Sequence, residues 1–143
     1  MNEPRERAIQ ELYEADQVEG WTPPQDLHGR ALRLTVGVLE QQASLDEAIA
    51  SHADNWRIDR MPVIDRAALR LALYELRHEP DVPTAVILNE AVRIVKAFST
   101  EHSGRFVNGV LAALARSERP TGRAADAPET GSPDAALESR PDL

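Results

Sequence analysis

The chain has no cysteine among its 143 residues. That excludes a disulfide framework, a thiolate metal site and a cysteine nucleophile. It fits a reducing compartment, and a cytoplasmic protein is expected. Aromatics make up only 4%, so a core must be built mainly from leucine, isoleucine, valine and alanine. No apolar run approaches the roughly 20 residues of a membrane-spanning helix. Met1-Asn2-Glu3-Pro4 has no basic stretch leading into an apolar one, so no secretory signal is expected. Positive charge is scarce: 16 Lys and Arg face 24 Asp and Glu, a formal charge of −8. This balance argues against non-specific coating of nucleic acid but leaves room for a local basic patch. His28, His52, His78 and His102 are scattered, without a second ligand at helical spacing, which speaks against a metal site. There is no glycine-rich phosphate loop and no G-x-S-x-G elbow. Neither catalysis nor a cofactor is expected.

What the chain has is helical periodicity. Ala8, Ile9, Leu12 and Ala15 predict a first helix near residues 4–18, ended by Gly20-Trp21-Thr22-Pro23-Pro24. Leu27, Ala31, Leu34, Val38 and Leu39 predict a second. Ser44 and Glu47 have capping-box spacing and predict the start of a short third helix, with Trp56 and Ile58 closing the unit. Pro62 suits the start of a fourth, apolar nearly all round except for Arg66, Arg70 and Arg77, and therefore central. Thr84 to Phe98 reads as a largely buried fifth helix. Ser103 is expected to cap a sixth, with Val107, Val110, Leu111 and Leu114 on its core face. No strand alternation is visible. The fold class is all-α, a helical bundle spanning residues 1–116. Residues 117–143 carry four prolines, six acids and three arginines without apolar period, and are expected to be a disordered acidic tail.

Three stretches are similar to the NusB family: "DRAALRLALYEL" (65–76), "DVPTAVILNEAVRIVKAF" (81–98) and "FVNGVL" (106–111), with a weaker match in "LYEAD" (12–16). The resemblance implies about six to seven helices in two packed three-helix units, and no enzymatic activity. It also implies a partnership with NusE, a small-subunit ribosomal protein. That pair would hold the boxA element of nascent RNA, within the RNA polymerase antitermination complex, and favour read-through in ribosomal RNA operons. A monomer or homodimer with no membrane contact is expected.

Single-stranded RNA is held by cations on phosphates and flat side chains on bases. The resemblance points to Arg5, Arg105 and Phe106; Arg7 remains beside Arg5, Tyr13 follows Arg5 by two turns on the same side of the helix, and Arg93 and Lys96 are further cations the protein could lean on. A helix opening at Ser103-Gly104 would offer free N–H groups, with Gly104 admitting an anion and Arg105 adding charge. Phe106 either stacks on a base or plugs the core, and Tyr13 either stacks or borders the core. Asn108 and Gly109 are expected to serve packing, Gly109 at a close helix crossing. Glu90, in a mostly buried helix, is expected to need a partner such as Arg66 or Arg70. Toward NusE, Asp59 and Asp65 match acidic family positions, although Asp65 also suits a helix dipole. The chain departs from the family pattern at its beginning, where the arginine-rich run is reduced to Arg5 and Arg7 among acids. Either an in-frame start lies upstream or RNA is bound weakly. In the second case the protein is a scaffold that keeps its NusE or polymerase contact.

Overall fold

The computed structural model describes residues 3–53 and 58–120. Trp56 and the segment beyond Pro120, which holds most of the expected tail, lie outside them. Among the described residues there are six α-helices and no strand: α1 (Pro4–Gln17), α2 (Gly29–Glu40), α3 (Gln42–His52), α4 (Val63–His78), α5 (Thr84–Phe98) and α6 (Glu101–Glu118). A 3-10 turn, Ile58–Arg60, leads into α4.

The first three helices and the last three follow each other as two groups, and α4 packs against all five others. Its sequence explains this. Leu69, Leu71, Leu73 and Leu76 are buried on several faces, each contributing about 1.5–3 kcal/mol through removal from water. Its narrow polar strip is equally committed. Arg66 reaches Asp16 of α1, Arg70 reaches Asp46 of α3, and Arg77 reaches Glu118 of α6. The central helix is thus tied by one arginine to each of three neighbours.

Several local expectations need correction. Helix α3 starts at Gln42, not at Ser44. Only Gln41 separates it from α2, and that residue's N–H bonds back to Gly37 and Val38 while its carbonyl accepts from Leu45. With the turn built from backbone bonds, Ser44 is free to accept from Arg77. Helix α6 is capped by Thr100, whose hydroxyl accepts from the Ser103 N–H. Phe98, expected in the core, is 53% exposed. Gly109 is exposed and a Cβ there would meet nothing. The close crossing occurs at Gly37 instead, where a Cβ would overlap the Tyr74 ring.

The body also runs past residue 116. Arg119 is buried and donates to the carbonyls of Glu75, Leu76 and Glu79 at the end of α4, and to that of Val82. The guanidinium adds to the backbone bonds that Glu79 and Val82 already make at this helix end, and gives the Leu76 carbonyl a donor.

Candidate nucleic-acid interface

Arg5 sits on α1 facing α4. Its Nε and Nη2 each lie 2.9 Å from a Glu75 carboxylate oxygen, and Arg30 of α2 reaches the same carboxylate at 2.9 Å. Glu75 is buried. Burial alone would lower the Arg5 pKa. The hydrogen bonds and charge of Glu75 outweigh it and hold the guanidinium above its ordinary value. Arg5 was expected at an RNA surface; its guanidinium is largely buried between helices and bonded to Glu75.

Arg7 and Arg93 are at the surface but engaged. Arg7 bonds Glu11 at 3.0 Å and holds Asp26 with two bonds of 3.1 and 3.2 Å. The hydrogen bonds from Arg7 keep the Asp26 carboxyl below its ordinary value. Arg93 reaches Glu90 at 2.7 Å, Glu6 at 3.0 Å and Glu3 at 3.4 Å. Hydrogen bonding to Glu90 and then Glu6 raises Arg93, while the bond from Arg93 lowers Glu90. The partner of Glu90 is therefore Arg93, not Arg66 or Arg70. It lies one turn away on the same helix, which makes it the cheaper partner to reach.

The corner where α5 meets α6 is different. Lys96, one turn after Arg93, lays its stem over Gly104: a Cβ on that glycine would stand 2.7 Å from Lys96 Cγ. The Lys96 ammonium is exposed, with Glu101 at 4.0 Å. Arg105 follows immediately, exposed and without an ion pair among the described residues. The Gly104 N–H is not free for an anion, since it bonds to the Thr100 carbonyl. The corner therefore offers the exposed side-chain cations of Lys96, packed over Gly104, and of Arg105, not a row of open amides. Phe106 is half-buried and packs against the core, which favours its packing role.

A groove of about 1070 Å³ runs along the second half of α1 and is closed by Phe98 at the end of α5. Tyr13, Val18, Trp21, Ile64 and Phe98 give it apolar walls, and Glu11 and Glu14 are its charged groups. Three of the four large apolar side chains exposed in the described body, Tyr13, Val18 and Phe98, line it. The sequence pattern pointed to Tyr13 but missed Phe98, because its position after Ile94 and Val95 reads as one more core residue.

The two acids expected to face a protein partner part company. Asp59 is exposed on the 3-10 turn. Asp65 is only 2% exposed, in the first turn of α4, and its Oδ1 has no hydrogen-bond partner. A side chain this deep suits the positive end of its helix, the other role expected for Asp65. Among the described residues, no three His, Asp or Glu side chains cluster as metal ligands, and no helix is long and apolar enough to cross a membrane.

Comparison with known proteins fixes the family. The model of the NusB family matches residues 2–116. The chain belongs to the NusB family. The transcription antitermination protein NusB of Saccharopolyspora erythraea is 44% identical over 127 residues, covering 80% of this chain and 85% of that one. The NusB of Sorangium cellulosum is 43% identical over 123 residues, covering 78% and 88%. The solved structure of Thermotoga maritima NusB superposes with a TM-score of 0.71 at 30% identity, over 81% of this chain and 93% of that one. A structure described as the antitermination factors NusB and NusE in complex with dsRNA gives 0.69 at 26% identity, over 80% and 94%. Within this NusB-like bundle, Arg93 and Lys96 lie one turn apart on one side of α5, while Phe98, two residues after Lys96, turns to the groove.

Proposed function

We propose that the protein is a transcription antitermination factor that, paired with NusE, holds boxA-like single-stranded RNA and promotes processive transcription of ribosomal RNA operons. The observation that carries this reading is the α5–α6 corner, where Lys96 packs over Gly104 and the next residue, Arg105, is exposed without an ion pair among the described residues, on a NusB-family bundle. Cations there take phosphates, and Tyr13 and Phe98 supply flat faces for bases. Asp59 and the acidic rim of the groove suit a basic ribosomal partner. The reading involves no catalysis.

The test is binding of a boxA-bearing oligonucleotide and of a scrambled one, with and without NusE, across a salt series. A clear preference for boxA in the presence of NusE is expected. Equal affinity for both RNAs in both conditions would overturn the reading. The second reading is a scaffold that binds NusE or polymerase while holding RNA weakly. It is favoured by the engagement of Arg5, Arg7 and Arg93 with carboxylates, and it predicts NusE binding without boxA preference.

A further inference from the structure

We infer that Glu3 and Glu6 are built-in competitors for phosphate, and that they set how selectively the α5–α6 corner takes RNA. The inference rests on the RNA-binding reading. Arg93 lies one turn before Lys96 on α5, so its guanidinium would extend the positive charge of Lys96 toward the start of α1. Three carboxylates hold it instead: Glu90 of its own helix and Glu3 and Glu6 of the neighbouring one. The two kinds of clasp differ. Glu3 also caps α1, accepting the N–H groups of Arg5 and Glu6 at 3.1 Å each. Its carboxylate is held in place whether or not Arg93 is there. Glu6 has no capping duty and can swing away.

The consequence follows from charge. A phosphate approaching Arg93 meets a net negative cluster and must displace carboxylates already bonded to the guanidinium. An RNA held only by stray contacts gains too little to do so. An RNA anchored on Lys96 and Arg105, with bases on the groove, brings its next phosphate at high effective concentration and can take Arg93 over. Glu3 and Glu6 therefore weaken every RNA, but weaken an unanchored one more.

The experiment is a double-mutant cycle in the full chain. Glu3→Gln/Glu6→Gln, and Glu6→Gln alone, are made with Arg93 intact and in an Arg93→Ala background. Each protein is titrated with a boxA-bearing and a scrambled oligonucleotide across salt. With Arg93 intact, the double variant is expected to bind the scrambled RNA about three- to tenfold more tightly, the scale of breaking exposed ion pairs. The boxA RNA should gain less, and the salt dependence should steepen by about 0.7 log units for one added phosphate contact. In the Arg93→Ala background the gain should vanish. A gain of equal size in both backgrounds would mean general electrostatics and would overturn the inference, as would no gain at all. If no protein in the set distinguishes boxA from scrambled RNA, yet the gain still requires Arg93, the boxA reading falls and the competition stands. Should the double variant unfold because the α1 cap is weakened, Glu6→Gln carries the same test with the cap intact.

Discussion

The seam between α1 and α4 and the corner between α5 and α6 use arginine in opposite ways. At the seam, Arg5 and Arg30 converge on the buried carboxylate of Glu75. At the corner, Arg105 stands in solvent with no ion pair among the described residues. In both places the residue is an arginine on a helix of an acidic chain. What separates them is depth and the position of the nearest carboxylate. A buried ion pair contributes little net stability compared with an apolar pair, yet breaking one side of it is costly. An exposed cation contributes almost nothing to folding and keeps its charge for a ligand. The seam should therefore answer to stability measurements and the corner to binding measurements.

The largest effect is expected at the seam. Arg5→Ala leaves Glu75 buried with Arg30 as its one remaining cation among the described residues, and should cost about 3 kcal/mol of folding free energy. Urea unfolding reads the cost directly. RNA affinity per folded molecule should not change. A variant of unaltered stability that loses RNA binding would erase the distinction between the two regions and return Arg5 to the interface. Arg119→Ala is next. It strips a guanidinium from the carbonyls closing α4 and should cost about 2 kcal/mol, since hydrogen bonds from a charged donor contribute more than neutral ones. Truncation after residue 116 should reproduce that loss, because residues 117–119 belong to the packed body.

Arg105→Ala sharpens the comparison from the other side. Folding stability should stay within about 0.5 kcal/mol, as for other surface substitutions. RNA affinity should fall roughly five- to tenfold at moderate salt, and the salt dependence should flatten by about 0.7 log units for one lost phosphate. Affinity equal to that of the unmodified chain would remove Arg105 from the interface.

The sequence carried the helices because their apolar residues recur at three and four, and α4 was legible as central because its polar strip is so thin. The caps of α3 and α6 were less legible. Ser44 and Ser103 satisfy capping rules locally, but backbone bonds from Gln41 and the hydroxyl of Thr100 had already closed those turns. Lys96, Arg105 and Tyr13 were legible as exposed candidates, and all three side chains are at the surface. The family likeness could not tell that Arg5 points inward, since a buried arginine and an exposed one leave the same letter in the chain. Only the facing Glu75, 70 positions away, decides the matter. The groove was half legible for the same reason: Phe98 continues an apolar stripe, and only the end of α5 exposes it.

The smallest expected effect tests whether the rim really is shallow. The Arg93 bond lowers the Glu90 carboxyl in the folded chain. A group lowered on folding stabilises the native state above its unfolded value, and that stabilisation is lost as pH falls through the folded value. Melting temperature should therefore drop on acidification below the ordinary carboxylate range, and Glu90→Gln should remove a part of that drop. Because Arg93 is nearly half exposed, solvent screening should hold the Glu90 share well under about 1 kcal/mol. A larger share would mean that the Glu90–Arg93 pair behaves like the seam. Arg93 would then be a structural residue, and the strip of cations open to RNA would shrink to Lys96 and Arg105.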